Sequence, residues 1–132
     1  GKRYQNKSIS FVYFCCNKMI SQANNSFVGS ILTDIGLKRP KAQDLSTTYG
    51  EIPIVEEELE KIDGDILFVA AYYDNDKSRL NKLQQKPLWK KLRAVKLNHV
   101  YFVDADTWRG GDLLAANALI DDLFKYLVKN PN

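Results

Sequence analysis

The stretch Val100–Lys129, VYFVDADTWRGGDLLAANALIDDLFKYLVK, contains the clearest structural signal in the chain. A short apolar strand over 100–103 leads into a polar turn, and an amphipathic helix begins at the Gly110-Gly111 pair. Apolar residues recur in this helix at three- and four-residue steps, a spacing that predicts one buried face. These residues are Leu113, Ala116, Ile120, Leu123 and Leu127. The stretch therefore predicts a strand, a loop and a helix that packs on a sheet.

The same order of elements occurs at the start of the chain. Residues 8–14, SISFVYF, are apolar and rich in β-formers, as expected of a strand covered on both faces. Residues 15–26, CCNKMISQANNS, predict a polar loop. Ser26 is a candidate helix cap, an apolar stripe follows it, and Gly36 is a typical stop signal.

The middle of the chain continues the alternation. Residues 65–73, DILFVAAYY, predict a strand in the interior of a parallel sheet. A weaker pattern predicts a strand over 51–54, and Pro53 places it at an edge of the sheet. The remaining patterns predict an acidic helix over 55–63, a helix over 76–84, a turn or short helix over 87–92, and a brief strand or connector over 94–97.

Alternating strands and helices with short connections predict an α/β fold, a three-layer αβα sandwich with a mainly parallel sheet. The length of 132 residues predicts one domain over 1–132, a single Rossmann-like lobe. In such a fold, ligands bind beyond the carboxyl ends of the strands. The sequence places those ends at 15–21, 72–76 and 104–111.

Composition excludes several classes of protein. A hydrophobic content of 45% with 27% charged residues is that of a globular domain and not of a disordered one. We expect neither a signal peptide nor a membrane-spanning helix, because no apolar run is long enough. Residues 77–96 contain eight Lys or Arg and no Asp or Glu, which indicates a solvated basic helical face or, as the alternative, a phosphate-binding surface. Without a known motif, this face does not predict nucleic-acid binding.

Catalytic and metal-binding motifs are not found in the sequence. It contains no GxGxxG, GxxxxGK[ST] or GxSxG pattern, and His99 precedes its strand, opposite the expected ligand edge. Cys15 and Cys16 are adjacent, a poor arrangement for a disulfide, so we expect buried free thiols and no zinc site. The sequence predicts neither catalytic nor metal-ligating residues.

The strand ends do contain residues suited to binding a ligand. Aromatic rings can cover its apolar parts, and a guanidinium pairs bidentately with carboxylate or catecholate-like oxygens. The candidate ligand-binding residues are Met19, Tyr72, Tyr73, Trp108 and Arg109. Tyr72 and Tyr73 could instead belong to the core, and Trp108 could cover the helix stripe.

Three stretches carry a family resemblance: SFVGSILTDIGLKRP, VEEELEKIDGDILFVA and PLWKKLRAVKLNHVYFVDADTWRGGDLLAANALIDDL. Together they resemble the C-terminal lobe of the substrate-binding proteins of iron–siderophore and vitamin B12 ABC importers. The resemblance implies two lobes joined by a long helix, with a ferric siderophore or ferric carboxylate complex between them. The protein would deliver this ligand to a membrane permease without catalysis or a cofactor, and cobalamin or haem are alternative ligands.

The resemblance also implies roles for particular residues. Arg109 matches a position that often contacts negative ligand oxygens, and the loops of Met19 and Tyr73 match loops that line the cleft. Glu57, flanked by Glu56 and Glu58, best matches the glutamate that docks on the permease. The setting would be periplasmic, or anchored outside the cell membrane, and the chain would be the C-terminal half of a longer protein.

Two other classes of function are compatible with the same fold. One is a small flavodoxin-like enzyme or a metal chelatase, which would need a phosphate-binding loop or a titratable pair at the ligand edge. The other is an interaction domain whose basic 77–96 face binds an acidic partner, in a salt-dependent manner.

Overall fold

A computed structural model describes residues 6–110 and 113–129. Its strands are β1 (Ile9–Cys15), β2 (Lys18–Gln22), β3 (Glu51–Ile54), β4 (Ile66–Ala71) and β5 (Val100–Phe102). Its helices are α1 (Phe27–Asp34), α2 (Asp74–Gln84), α3 (Pro87–Lys90), α4 (Arg93–Lys96), α5 (Ala105–Arg109) and α6 (Leu113–Lys129), and Glu56–Ile62 forms a 3₁₀ helix. Within these ranges, no helix combines the length and apolar character that crossing a bilayer requires.

The strands form one sheet in the order β3-β2-β1-β4-β5. β1, β4 and β5 are parallel neighbours, and β2 runs antiparallel to both β1 and β3. Four of the five strands therefore point the same way, which confirms the predicted α/β fold with a mainly parallel sheet. β3 lies at one edge as predicted, with Pro53 opposite Ile20 of β2.

Two buried clusters on opposite faces of the sheet make this a three-layer structure. One cluster joins the sheet to α1, α5 and α6 around Phe11, Phe68 and Trp108. The other joins it to the 3₁₀ helix and α2–α4 around Phe14 and Trp89. All seven residues of β1 are buried, because successive side chains enter alternate clusters. The serine of the strand, Ser10, is also buried, and its hydroxyl donates to the Ile62 carbonyl oxygen at 2.7 Å.

The predicted loop over 15–26 is wrong in part, because β2 lies inside it. Cys16 and Asn17 have φ values of 59° and 63°, and the two-residue turn they form lets the chain reverse directly from β1 into β2. Such left-handed pairs are typical of tight hairpins, but a Cys-Asn pair is an uncommon sequence for one. The sequence pattern therefore did not predict the hairpin of β1 and β2.

The hairpin also changes the prediction for the cysteines. The structure joins Cys15 to Cys16 as a disulfide, whereas the sequence predicted two buried free thiols. Cys15 is buried at the end of β1, but Cys16 is exposed in the turn. The left-handed backbone of Cys16 interrupts the strand's alternation, so its side chain need not point to the opposite face.

The first helix is formed as its sequence signals predict. The Ser26 hydroxyl oxygen accepts a hydrogen bond from the Gly29 N–H at 2.9 Å and caps α1. Gly36 follows the helix with a φ of 81°, a conformation that glycine adopts without a steric cost. Val28 and Leu32 are fully buried, so the inward stripe of α1 faces the sheet.

Three predictions in the second half require correction. Residues 94–97 form most of α4 and not a strand, and the turn after β5 contains a short helix, α5. In α6, Leu119 is buried whereas Leu113 is 77% exposed, so the buried stripe differs from the predicted one at its start. The predicted helix start at Gly111 lies outside the described residues.

Candidate functional site

The carboxyl ends of β4 and β5 enclose the cavity that we consider the candidate site. Its volume is about 330 Å³. It contains aromatic, cationic and acidic side chains on the segments that follow the two strands. The lining residues are Ala71, Tyr72, Tyr73, Lys77, Asp104, Ala105, Asp106 and Arg109. The cavity therefore lies where a parallel sheet normally binds its ligand.

Arg109 reaches this edge because α5 is short and firmly capped. A carboxylate oxygen of Asp104 accepts hydrogen bonds from the Thr107 N–H and the Thr107 hydroxyl, both at 2.9 Å. α5 ends after Arg109 at Gly110, where φ is 31°. A side chain on Gly110 would come within 2.5 Å of the Phe27 ring, so this close approach to α1 requires glycine.

The Arg109 guanidinium lies over the ring of Tyr72, with its central carbon 5.3 Å from the ring centroid. A cation–π contact at such an exposed position contributes about 0.5–1 kcal/mol. The Arg109 side chain remains exposed, so its planar donors stay available to a ligand. The Tyr72 ring thus restricts the position of Arg109, but the Tyr72 hydroxyl makes no well-aligned hydrogen bond with the guanidinium N–H groups.

Tyr72 connects Arg109 to a row of polar aromatic side chains. Its ring centroid lies 5.7 Å from that of Tyr13, and the Tyr13 hydroxyl donates to a Glu51 carboxylate oxygen at 2.7 Å. Burial raises the pKa of Tyr13, and the bond to Glu51 raises it further. Burial also raises the pKa of Tyr72, although the Arg109 guanidinium partly offsets this effect. Both phenols are therefore neutral and able to donate at physiological pH.

The two hydroxyl groups differ in whether they have a partner. Tyr13 donates to Glu51, but the Tyr72 hydroxyl oxygen is buried and makes no well-aligned hydrogen bond within the described part of the chain. A buried polar group without a partner normally costs about 1–3 kcal/mol. Among the described residues, the cavity wall thus contains a hydroxyl group whose hydrogen-bonding capacity is not fully used.

Tyr73 and Lys77 lie on the side of the cavity formed by α2. Tyr73 is 64% exposed, and its backbone N–H donates to the buried Asp76 carboxylate at 3.0 Å. Lys77 is exposed one turn into α2. Asp104 and Asp106 place negative charge on the opposite wall. The arrangement suits a ligand that carries both anionic oxygens and hydrogen-bond donors.

Trp108 does not line this edge. It is fully buried, its ring lies 4.6 Å from that of Phe68 and 5.2 Å from that of Phe11, and its indole N–H donates to Asp122 at 2.9 Å. The sequence suggested the edge because Trp108 neighbours Arg109. One residue in a helix turns the side chain by about 100°, which here points Trp108 into the core.

Met19 is also separate from the other candidates. It lies in β2, is 1% exposed, and packs in the cluster on the far face of the sheet together with Phe14. Tyr72, by contrast, packs against the cluster that contains Trp108. The structure therefore brings Tyr72, Tyr73 and Arg109 together and leaves Met19 and Trp108 in opposite halves of the core.

Glu57 is exposed near the start of the 3₁₀ helix. Of its neighbours, Glu56 pairs with Lys86 at 2.5 Å and Glu58 pairs with Lys61 at 2.7 Å. Within residues 6–110 and 113–129, no ion pair to Glu57 is formed. Of the three adjacent carboxylates, Glu57 is thus the one without an ion pair in the part of the chain that the structure describes.

Sequence reasoning missed three residues of the cavity: Lys77, Asp104 and Asp106. Each comes shortly after a strand that the sequence located, so the rule that placed Tyr72 at the edge could have found them. The sequence analysis assigned Lys77 to the basic face over 77–96 and gave Asp104 and Asp106 no individual role. Over the residues that the structure covers, no group of three His, Cys, Asp or Glu side chains forms a metal cluster.

The fold is a single α/β lobe, and the candidate cavity lies at the carboxyl edge of its sheet. Residues 2–107 match the family model described as periplasmic binding protein. The chain belongs to this family.

Named relatives and solved structures agree with the match. The chain is 34% identical, over 94% of its length, to the probable siderophore-binding lipoprotein YfiY of Bacillus subtilis, of which it spans 41%. It is 38% identical to the Fe(3+)-citrate-binding protein YfmC of the same organism, over 64% of this chain and 25% of that protein. The crystal structure of Staphylococcus aureus SirA superposes with a TM-score of 0.82 and 27% identity, over 95% of this chain and 49% of SirA. The chain thus spans less than half the length of these proteins.

Proposed function

We propose that this chain is the C-terminal lobe of a substrate-binding protein that binds a ferric siderophore or ferric carboxylate complex and delivers it to an ABC importer. The observation that carries the proposal is the exposed Arg109 guanidinium held on Tyr72 at the carboxyl edge of the sheet. Family membership supports it, as do the iron-chelate ligands in the names of YfiY and YfmC. Enzymatic activity is no part of the proposal.

The site chemistry supports an anionic chelate as ligand. Arg109 would pair with carboxylate or catecholate oxygens, Tyr72 would donate a hydrogen bond, and Tyr73 would cover an apolar part of the ligand. The iron would be held by the chelator, so the protein would need no metal ligands and no cofactor. Cobalamin and haem remain alternative ligands for the same edge.

The size of the cavity supports a second lobe. A cavity of about 330 Å³ is small for a chelate, whereas binding sites usually enclose 70–90% of their ligand. An N-terminal lobe of the same protein would cover the remaining ligand surface, and the greater length of the relatives is compatible with such a lobe. Residues 1–132 would then form one of two lobes.

Glu57 would dock on a basic side chain of the membrane permease. Its exposure and its lack of an ion pair among the described residues support this role over Glu56 and Glu58. The protein would work in the periplasm or anchored outside the cell membrane, as the word lipoprotein in the name of YfiY suggests. The proposal includes no nucleic-acid partner.

Calorimetric titration of the complete protein with ferric citrate, a ferric hydroxamate, a ferric catecholate, cobalamin and haem would test the function. We expect one ferric chelate to bind, and Arg109→Ala to weaken it by about 1.5–3 kcal/mol through the loss of charge-assisted hydrogen bonds. Lys90→Ala, which removes an exposed cation from α3, is the matched control and should leave affinity unchanged.

Other outcomes of this titration separate the alternatives. Equal affinity of the Arg109→Ala variant and the parent protein would remove Arg109 from the site. Saturable binding of only cobalamin or haem would keep the transport function and replace its ligand. No binding of any of the five compounds would contradict the proposal and favour an interaction domain.

A further inference from the structure

The outer face of α6 exposes an unusual amount of apolar surface. Leu113, Leu114 and Phe124 are 77%, 80% and 63% exposed. Among the described residues, these are the most exposed of the leucine, isoleucine, valine and phenylalanine side chains, and all three lie on one helix. Such a concentration on one element, in contrast to single exposed residues elsewhere, indicates a contact surface. We call these three residues the α6 outer face.

Helix geometry places Leu114 opposite the inward stripe of α6, and Leu113 and Phe124 on the adjoining flank, about 80–100° from the centre of that stripe. Leu113 and Phe124 are separated by about three turns, so they point in nearly the same direction some 16 Å apart along the axis. Leu119, Leu123 and Leu127 form the inward stripe that packs against the sheet. The outer face is therefore not a poorly packed part of this core, because the core side of α6 is already complete.

Polar residues lie among the apolar ones on this face. Asn117, Asp121 and Lys125 are exposed between or beside them. A mixture of this kind is typical of interfaces between domains of one chain, which are more polar than a protein core. The composition fits a surface that is covered by protein for part of its area and stays in contact with water at its rim.

We infer that the α6 outer face is an interface with the N-terminal lobe of the same protein. The inference rests on the proposed two-lobe organisation and adds the surface through which the lobes touch. Its occupant follows from chain length: this chain aligns over 94–95% of itself with proteins of which it spans only 41–49%. α6 begins four residues after the last residue of α5, Arg109, so a lobe on this face would also lie beside the candidate site.

Hydroxyl-radical footprinting of the complete, ligand-free protein tests the inference by comparing side-chain labelling with internal references. Leu45 is 41% exposed in the connection after α1 and serves as the exposed leucine, and Phe68 is the fully buried phenylalanine. We expect Leu114 to be labelled less than Leu45 despite its greater exposure in this lobe, and Phe124 to be labelled as little as Phe68. Labelling of Leu114 and Phe124 in proportion to their exposure in this lobe would overturn the inference.

A pair of variants provides a second, independent readout. Leu114→Glu with Phe124→Glu should separate the single thermal transition of the complete protein into two, because charges on the outer face would uncouple the lobes. Leu45→Glu is the control and should keep one transition. A single, unshifted transition in the double variant would contradict the inference.

Three further outcomes identify a different occupant or separate this inference from the proposed function. Protection that disappears on dilution, together with a dimeric mass in light scattering, would assign the face to a second copy and overturn the inference. Protection in a protein that binds none of the five compounds above would support the lobe interface while the ligand proposal fails. Chelate binding together with full labelling of the α6 outer face would support the proposed function and overturn the lobe interface.

Discussion

Two arginines show how differently the two ends of this lobe use the same side chain. Arg39 is 8% exposed, and its guanidinium donates to the Ile9 and Gln22 carbonyl oxygens at 3.1 and 2.6 Å and to the Gln43 side chain at 2.7 Å. Arg109 is exposed and rests on an aromatic ring. One arginine holds the fold together, and the other keeps its donors available for a ligand.

Burial changes the pKa of the first of these arginines. It lowers the pKa of Arg39 to about 10, with a small opposing contribution from Asp44. Gln43 extends the network by donating to the Ser10 hydroxyl oxygen at 2.8 Å and the Lys61 carbonyl oxygen at 3.0 Å. This network ties the connection after α1 to β1 and to the 3₁₀ helix. The comparison teaches that an arginine's partners, more than its charge, indicate its role.

The largest effect should come from removing the structural arginine. Arg39→Ala leaves several buried acceptors without a donor, so we expect a loss of roughly 3 kcal/mol in the free energy of unfolding. Arg109→Ala should change the free energy of unfolding by less than about 1 kcal/mol, because its contacts are exposed. Urea denaturation of the complete protein measures both, and similar losses in the two variants would break the comparison.

Tyr72 permits a sharper test of the ligand edge, because two substitutions separate its ring from its hydroxyl group. Tyr72→Phe should weaken chelate binding by about 1 kcal/mol while leaving the free energy of unfolding nearly unchanged or higher, since the hydroxyl makes no well-aligned hydrogen bond among the described residues. Tyr72→Leu should weaken binding by a further 0.5–1 kcal/mol or so through loss of the contact with Arg109. Calorimetry and urea denaturation give the two quantities, and a destabilised Phe variant would show that the hydroxyl is structural.

The smallest expected effect on stability concerns Asp65, whose carboxylate forms hydrogen bonds at the amino end of the sheet. Burial raises its pKa, but the Ser8 N–H at 2.9 Å and the Arg93 guanidinium at 2.7 Å outweigh burial and hold the pKa below its ordinary value of 3.8. The stabilisation is therefore present above pH 4 and is lost as the pH falls through the lowered pKa.

Asp65→Asn provides the matched measurement for this pH dependence. We expect the variant to be less stable than the parent protein at pH 7 by no more than about 1 kcal/mol, because Arg93 is largely exposed. The difference should shrink below pH 4, which urea denaturation at several pH values would detect. A difference that stays constant down to pH 2 would assign the effect to packing.

The sequence predicted the fold well where burial dominates. β1 and β4 are continuous apolar runs, and α1 has a cap and a stop signal, so each has a simple physical signature. β2 was missed because its turn depends on the left-handed backbone of Cys16 and Asn17, which those residue types only weakly favour. α4 has four residues, too few for a helical period to appear.

The candidate site was predicted less completely, for a similar reason. The carboxyl ends of the strands located Tyr72, Tyr73 and Arg109, but sequence position alone does not fix the direction of a side chain. Trp108 and Met19 were placed with them and instead fill the two clusters on opposite faces of the sheet. Arg39 gave no signal, because its partners are backbone carbonyls and a glutamine distant in sequence.

The burial of both tryptophans gives this lobe two internal optical probes. Trp108 reports on the layer containing α5 and α6, and Trp89, 3% exposed, reports on the layer containing α2–α4. Their emission should therefore respond to loosening of either helical layer, with little direct quenching by a bound chelate. Replacing one tryptophan at a time with phenylalanine would let fluorescence follow whether the two sides of the sheet come apart together or in sequence.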